Sequence, residues 1–449
     1  MLSKFARISQ QRLTPETLKI ISNTGWLFFS RVFRILVSLV VNTWTARYLG
    51  PQQFGVLQYG LAFSSFFMPL STAQMSPILT RDLVRHPDEA PQILGTGFVL
   101  QLIGGIAAGV MSIGTFWLLT PEPSTVHLLV AVIALKFIAN SFQPIESWFE
   151  AKVASKFVVF ANNIAFVVAT LLEIFFIVVE ASVVAFAAVL VLETAMMAAG
   201  LVVFYQRDRQ QVLQWRTDLT RLRELFNASL PLLLASTANM LYFNIDRVML
   251  GRMVENSAVG IYSSAATLSG SWYFLPVILA SSLYPRIIRA RETPATYHRH
   301  LQTFYDLVSA LAYGLILLFS PLAGVVILLL YGEHYLAASP ILTVHLWSSL
   351  FLFLGIAQSK WIVVEGLQRF DFVARVTGLI CNIGLNLVLI PQYGGMGAAI
   401  ATLISYAVGG YLVFLVFPQT RANALLMTKA LGLPLRLPSL LKQFLSSEV

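Results

Sequence analysis

Charged residues are scarce in this 449-residue sequence: Asp, Glu, Lys and Arg make up 11% of it, whereas hydrophobic residues make up 57%. An ordinary soluble domain has about 25% charged residues. So little polar side chain cannot cover a globular surface, and the apolar residues form segments long enough for a hydrocarbon layer about 30 Å thick. Backbone amides in lipid must be paired within their own segment, so we expect these segments to be helices. The composition therefore excludes a soluble globular protein.

Cysteine is nearly absent as well, since Cys381 is the only one. A disulfide framework and a thiolate metal site are therefore excluded. The six histidines form no metal-ligand pattern, and no glycine-rich loop ends in Gly-Lys-Ser or Gly-Lys-Thr. Without such a loop we do not expect this chain to hydrolyse ATP. We predict that the protein is not an enzyme and has no catalytic residues, metal or cofactor.

Hydrophobic segments predict an all-α membrane protein with about twelve transmembrane helices. The predicted spans are 20–48, 54–75, 93–119, 125–149, 157–179, 181–204, 228–250, 258–284, 304–330, 337–363, 371–391 and 396–417. Residues 1–19 are polar and basic without an apolar core, so we interpret them as a cytoplasmic segment and not as a cleaved signal peptide. Residues 419–449 are amphipathic and are predicted to lie as a cytoplasmic tail on the inner surface.

Lysine and arginine concentrate in alternate loops, above all in the loops at 205–227 and 285–300. Because short basic loops resist translocation, this asymmetry predicts an inner-membrane protein with both termini in the cytoplasm. The net charge of +9 is then an orientation signal and does not favour a nucleic-acid partner. The same basic residues are equally compatible with binding of anionic lipid headgroups.

The two halves of the chain resemble each other faintly. Leu49-Gly50 is followed by Gly55, and Leu250-Gly251 is followed by Gly260. We predict two six-helix lobes, 20–205 and 228–418, which are joined by a cytoplasmic linker at 206–227. Since six is even, the lobes would be related by a pseudo-two-fold axis along the membrane normal, with the substrate path between them.

Charges inside the predicted spans are the candidate functional residues, since each costs about 2.5–3.5 kcal/mol at a helix centre. Arg31 and Arg34 share one helical face, and Lys136 and Arg247 lie in other spans. Paired arginines suit a phosphate or diphosphate, so we predict that these four cations line a water-filled, net-positive cavity. Two carboxylates, Glu193 and Asp246, are candidates for coupling transport to H⁺ or Na⁺.

Each of these residues also has an alternative interpretation in which it is only structural. Asp246 or Glu193 can pair with an arginine and serve only to fix helix packing. Arg31 can also extend to the inner surface if the first span starts later than predicted. Glu173, nearer the outer end of its span, is expected to be structural or exposed to the outside.

Several stretches resemble one transporter family. They are Asn23-Thr24-Gly25-Trp26 with Thr45-Ala46-Arg47-Tyr48-Leu49-Gly50-Pro51, Asp246-Arg247-Val248-Met249-Leu250-Gly251, and Asn382-Ile383-Gly384-Leu385-Asn386 with Gly397-Ala398-Ala399-Ile400-Ala401-Thr402. Their order and spacing over residues 20 to about 418 are similar to the O-antigen and exopolysaccharide (Wzx-type) repeat-unit flippases. These belong to the multidrug/oligosaccharidyl-lipid/polysaccharide exporter superfamily.

The resemblance implies export of a polyprenyl-diphosphate-linked oligosaccharide from the inner to the outer leaflet by alternating access of two lobes. It also implies membrane lipids and polysaccharide polymerase or assembly proteins as partners, and it matches Arg31 and Arg34 to arginines of lipid-linked-precursor flippases. Three alternatives stay open: a cation-coupled multidrug exporter of the same superfamily, a membrane polysaccharide polymerase or ligase, and a scaffold of a polysaccharide assembly complex. A drug exporter would place carboxylates, not cations, around its cavity, and a polymerase would need a large external loop.

Overall fold

The computed structural model describes residues 15–208 and 210–436, and their side chains from Val32 onward. In these residues every regular element is a helix, which confirms the predicted all-α class. The helices are α1 Pro15–Ser65, α2 Met68–Thr72, α3 Ser76–Arg85, α4 Ala90–Leu119, α5 Thr125–Ala139, α6 Pro144–Ala151, α7 Lys156–Val178, α8 Val183–Arg207, α9 Leu219–Met253, α10 Asn256–Gly270, α11 Phe274–Arg289, α12 Pro294–Phe319, α13 Ala323–Tyr331, α14 Ala338–Glu365, α15 Gln368–Ala407, α16 Val413–Val416 and α17 Pro418–Leu431. A π-helical turn, Val408–Leu412, joins α15 to α16.

Eight helical stretches of the described chain are long and apolar enough to cross a membrane. They are Pro87–Leu119, Thr125–Ala151, Lys156–Val178, Val183–Arg207, Asn256–Glu292, Pro294–Phe319, Ala338–Glu365 and Gln368–Val416. The protein is therefore a multi-pass membrane protein. The exact number of twelve crossings and the pseudo-two-fold relation stay predictions.

Two of the longest helices are interrupted at a glycine. The backbone of Gly50 in α1 has φ 66° and ψ 170°, and that of Gly394 in α15 has φ 54° and ψ −130°. A positive φ is readily adopted only by glycine. Pro51 follows the first break, where a proline fits the opening turn of a new helix because it lacks an N–H group. Each break falls where the sequence predicts the end of one span and the start of the next.

The chain forms two compact units. The N unit comprises the described residues up to Thr45 together with Phe63–Thr237. The C unit comprises Ala46–Ala62 together with the described residues from Ala238 onward. The boundaries between the two units fall within α1 and within α9. The predicted lobes, 20–205 and 228–418, and the predicted linker between them stay predictions.

Within the C unit, the second half of α1 packs closely on α10. A Cβ atom on Gly55 would overlap the carbonyl oxygen of Asn256, and one on Gly260 would overlap that of Pro51. Small residues let helix backbones approach each other in this way. The hydroxyl of Tyr335 also donates to the carbonyl oxygen of Ala46, at 2.7 Å. Residues 46–62 are thereby fixed to the C unit.

The last described helix, α17, packs on α12 in the C unit. Its buried face holds Asn423, whose amide donates to the hydroxyl of Tyr305 at 2.6 Å and to the side-chain oxygen of Gln358. Tyr305 in turn donates to Gln358 at 2.8 Å. The predicted tail, 419–449, thus begins as a packed helix, and residues 437–449 lie outside the described chain.

Candidate functional site

In the N unit, α1 and α8 are joined by an ion pair. Nη2 of Arg34 lies 2.8 Å from Oε1 of Glu193, and the Arg34 side chain is 34% exposed. Its Nη1 donates to the carbonyl oxygen of Asn162 at 3.5 Å, and its guanidinium lies 4.8 Å from the centre of the Phe166 ring. An ion pair and a cation–π contact lower the free-energy cost of placing an arginine in a membrane helix. The alternative in which Glu193 pairs with an arginine is confirmed for Arg34.

Lys136 on α5 belongs to the same group of charges. It interacts electrostatically with both Glu193 and Arg34, and it is partly buried in a helix whose other residues are almost all apolar. The structure therefore brings together three of the predicted site residues from three different helices. The side chain of Arg31, the fourth predicted member on this side, lies outside the described residues.

Two further carboxylates lie near this group. Glu146 on α6 hydrogen-bonds the side chain of Asn162 and interacts electrostatically with Arg34. Glu173 on α7 interacts electrostatically with Glu193. Sequence reasoning placed Glu173 but missed Glu146, although Glu146 falls inside the predicted span 125–149. We call Arg34, Lys136, Glu146, Glu173 and Glu193 the N-unit charge cluster. Its described members are mixed in sign.

The C unit contains a second polar group, centred on Asp246 of α9. Asp246 is buried, with 4% of its surface exposed. Its Oδ2 accepts hydrogen bonds from the hydroxyl of Tyr262 at 2.6 Å and from the hydroxyl of Thr402 at 2.7 Å. Its Oδ1 accepts one from the amide of Asn386, also at 2.6 Å. The alternative in which Asp246 pairs with an arginine is not found among the described residues.

Asparagines extend this group along α15. The amide of Asn386 also donates to Oδ1 of Asn382 at 3.0 Å, because the two residues are one helical turn apart. Oδ1 of Asn386 is buried and has no hydrogen-bond partner among the described residues. We call Asp246, Tyr262, Asn382, Asn386 and Thr402 the Asp246 network. It combines a carboxylate with several neutral oxygen atoms, one of which is unsatisfied.

Arg247 follows Asp246 in sequence but has different partners. Its Nε donates to the hydroxyl of Ser263 at 3.1 Å, and its Nη1 donates to Oδ1 of Asn244 at 2.7 Å. Successive residues of a helix project about 100° apart, so the two side chains leave α9 in different directions. Arg247 is thus held by neutral groups and forms no ion pair with a described residue.

Sequence reasoning also missed His345 on α14. The imidazole ring is 4% exposed and lies 5.1 Å from the ring of Tyr262, measured between ring centres. Neither ring nitrogen has a hydrogen-bond partner among the described residues. A lone histidine in an apolar span was the available signal. In the described part of the chain, His, Cys, Asp and Glu form no group of three that could hold a metal ion.

The fold of the described residues is all-helical, with charged and hydrogen-bonded side chains inside apolar helices. It resembles the lipid II flippase MurJ in an inward closed conformation, with a TM-score of 0.74 at 14% identity over 93% of each chain. It also resembles an inward-facing multidrug resistance MATE family transporter, with a TM-score of 0.70 at 14% identity over 88% of this chain and 96% of that one. At 14% sequence identity, these two similarities establish the fold alone.

The family model described as "Polysaccharide biosynthesis protein" matches residues 20–291, more than half of the chain. The protein belongs to this family, and the resemblance noted in the sequence is confirmed at that level. Among curated relatives, "Probable flippase AglR" of Haloferax volcanii is 33% identical over 188 residues, which are 40% of this chain and 39% of that protein. "Capsular polysaccharide biosynthesis protein CapF" of Staphylococcus aureus is 24% identical over 43% of this chain and 49% of its own length. These matches thus span less than half the length of each relative.

Proposed function

We propose that this protein is a flippase that moves polyprenyl-diphosphate-linked oligosaccharide repeat units from the inner to the outer leaflet by alternating access. It would work in the bacterial inner membrane, with both termini in the cytoplasm, and supply surface polysaccharide synthesis. The observation that carries the proposal is the N-unit charge cluster, in which Arg34 and Lys136 lie on membrane helices and interact electrostatically. Membership of the polysaccharide biosynthesis protein family supports the substrate class.

Arg34 keeps donors available for a diphosphate. A guanidinium carries five N–H donors, and two of its nitrogen atoms are engaged with Glu193 and with the carbonyl of Asn162. The remaining donors, together with Lys136 and with Arg31 one turn earlier in α1, would bind phosphate oxygens. Arg247 would add a further cation from the C unit. The sugars would occupy the hydrated cavity, and the prenyl chain would stay in lipid.

The Asp246 network is the stronger candidate for coupling to an ion. A monovalent cation or a proton would be held by the Asp246 carboxylate, the hydroxyl of Thr402 and the unsatisfied oxygen of Asn386. Oxygen atoms of this kind, on helices that meet in the membrane, suit H⁺ or Na⁺ in secondary transporters. Binding would drive transport only if the cation prefers one of the two alternating states. Glu193 remains the second candidate, although its ion pair with Arg34 already uses one carboxylate oxygen.

A cation-coupled multidrug exporter of the same superfamily is the second candidate function. It is favoured by one specific observation, the three carboxylates Glu146, Glu173 and Glu193 in the N-unit charge cluster. An amphipathic cationic drug would bind such carboxylates directly. Accumulation of a fluorescent cation in a drug-sensitised strain separates the two functions, because the flippase should leave it unchanged.

The proposal is tested with the double variant Arg31→Gln, Arg34→Gln in cells that lack the chromosomal gene. We expect surface polysaccharide to be lost while the amount of protein in the membrane stays normal. Arg223→Gln, which removes the same charge from an exposed position at the start of α9, is the matched control and should restore polymer production. Normal polymer from the double variant would refute the role of these arginines in diphosphate binding.

A further inference from the structure

A cavity of about 270 Å³ lies between α11 and α12 in the C unit, away from the residues discussed so far. It is lined by Leu283, Arg286, Ile287, Arg299, His300, Thr303 and Phe304. Ile287 and Phe304 are buried, whereas Arg286, Arg299 and Thr303 are exposed. The cavity therefore has an apolar floor and a polar, basic rim.

The two arginines of the rim are not neutralised. No carboxylate lines the cavity, and neither Arg286 nor Arg299 forms an ion pair with a described residue. Glu365 binds Arg291 at 3.0 Å, and Asp306 binds Arg436 at 3.3 Å. Glu292, exposed in the connection between the two helices, does not line the cavity. Two like charges that converge on one cavity repel each other, so an anion bound between them would be stabilised.

A second cavity, in the N unit, provides a contrast. It measures about 190 Å³ and is lined by Ile78, Arg81, Asp82, His86, Arg221, Glu224, Leu225 and Ala228. Its arginines are paired, Arg81 with Asp82 at 2.8 Å and Arg221 with Glu89 at 2.6 Å. Of these two cavities, only the one between α11 and α12 has no acidic residue in its lining.

The imidazole of His300 adds to the anion-binding character of this cavity. Its Nδ1 is buried without a hydrogen-bond partner among the described residues. In the tautomer that carries the proton on Nδ1, it donates to a phosphate oxygen. The hydroxyl of Thr303 donates to the carbonyl oxygen of Arg299 at 2.9 Å, so its oxygen can accept only from a headgroup hydroxyl or a water and does not itself bind the anion.

The position of the cavity points to a ligand that is anchored in the membrane. The stretches Asn256–Glu292 and Pro294–Phe319, each long enough to cross, meet at the connection beside it. Thr303 is about 14 Å along α12 from the start of that helix at 1.5 Å per residue, and it directly precedes the predicted span 304–330. An apolar floor below a basic rim fits an acyl or prenyl chain below a charged headgroup.

We propose that the cavity between α11 and α12 is a binding site for the phosphate group of a lipid, in which Arg286 and Arg299 bind the phosphate oxygens and Leu283, Ile287 and Phe304 contact the chain. The phosphate comes either from an anionic membrane phospholipid or from a prenyl-phosphate lipid. The site is independent of the N-unit charge cluster and of the Asp246 network.

The test measures lipid bound to the purified full-length protein by native mass spectrometry, with phosphatidylglycerol, phosphatidylcholine or a prenyl diphosphate added to the detergent. We expect the double variant Arg286→Gln, Arg299→Gln to bind the anionic lipid about tenfold more weakly than the unchanged protein. Arg289→Gln is the matched control. It removes the same charge from the same helix end, but Arg289 does not line the cavity and its Nε donates to the carbonyl of Pro285. The Arg289→Gln variant should bind the anionic lipid as strongly as the unchanged protein does.

The added lipids distinguish the two sources. Retention of phosphatidylglycerol with an Arg286/Arg299 dependence assigns the site to bulk anionic lipid, and stronger retention of the prenyl diphosphate with the same dependence assigns it to a prenyl-phosphate lipid. Equal binding by the double variant and by Arg289→Gln would overturn the proposal, as would retention of phosphatidylcholine alone. A melting curve for each variant excludes unfolding as the cause. Arg34→Gln should leave the Arg286/Arg299-dependent retention of phosphatidylglycerol unchanged, so failure here is separate from failure of the flippase proposal.

Discussion

The guanidinium of Arg34 and the carboxylate of Glu193, 2.8 Å apart, tie the first half of α1 to α8 within the N unit. The pair is only partly buried, with 34% of the arginine and 22% of the glutamate side chain exposed. An approaching anion can therefore compete with Glu193 for the guanidinium without first opening a sealed core. In the proposed flippase, Glu193 would hold Arg34 in place while no substrate is bound, in addition to joining α1 to α8.

The charge swap Arg34→Glu, Glu193→Arg separates the packing role from the substrate role. It restores an ion pair between α1 and α8, so we expect a melting temperature close to that of the unchanged protein. Transport should nevertheless be lost, since the cation has moved from α1 to α8. Thermal unfolding in detergent and complementation of polysaccharide production measure the two effects. Full complementation by the swapped protein would mean that the pair serves packing alone.

Glu193→Gln gives the complementary prediction. The neutral amide still accepts a hydrogen bond from Arg34 but no longer competes for its charge. We expect the affinity for a prenyl diphosphate to rise several-fold, with transport reduced because release becomes slower. Binding is measured by native mass spectrometry on the purified protein. Glu122→Gln, an exposed carboxylate in the loop before α5, is the control. A fall in affinity with Glu193→Gln would contradict the proposed competition.

Asp246→Asn should remove coupling to a cation while keeping the fold. The substituted side chain still has an oxygen that accepts from Tyr262 and Thr402, but the negative charge that would hold the cation is gone. We expect transport to lose its dependence on Na⁺ or on the proton gradient, measured in proteoliposomes with an imposed gradient. The control is Asp306→Asn, a C-unit carboxylate outside the network. Unchanged cation dependence in Asp246→Asn would move the coupling site elsewhere.

Sequence patterns predicted those features that depend on local physical chemistry. The break at Gly50 follows from a glycine before a proline, and the membrane helices follow from uninterrupted apolar segments. The pairing of Glu193 with an arginine could be predicted from the sequence, because both charges lie in apolar helices. The particular partner could not, since it depends on how α1 and α8 are placed in space.

Contacts between distant helices account for what sequence reasoning missed. Asp246 and Arg247 are adjacent, yet one is bound by α10 and α15 side chains while the other is bound by Ser263 and Asn244. Glu146 was not identified from the sequence, because its hydrogen bond to Asn162 depends on how α6 and α7 pack. Hydropathy registers only that such residues are polar and carries no information about which helix supplies the partner.

Gly55→Ala should destabilise the C unit strongly. The added methyl group would overlap the carbonyl oxygen of Asn256, so α1 and α10 would have to separate. Gly114→Ala is a matched control, because a Cβ atom at Gly114 on α4 meets nothing within 4 Å. Alanine loses less backbone entropy than glycine when a helix folds, so Gly114→Ala should be stabilised by about 0.5–1 kcal/mol. Thermal unfolding measures whether the melting temperature falls in Gly55→Ala and rises in Gly114→Ala. Equal melting temperatures would contradict the close crossing of residues 46–62 with α10.

Asn423→Leu tests whether α17 is an integral part of the C unit. The substitution removes the amide that binds Tyr305 and Gln358. The buried Tyr305 oxygen then lacks a donor, while Gln358 keeps its hydrogen bond from Tyr305, and the loss costs about 1–3 kcal/mol. Gln419→Leu, the same type of change at an exposed position of the same helix, should have little effect. Hydrogen–deuterium exchange over residues 418–431 should therefore accelerate in Asn423→Leu and stay slow in Gln419→Leu. Fast exchange of these residues in the unchanged protein would show instead that α17 is not held on α12 and that the buried contacts of Asn423 do not persist in solution.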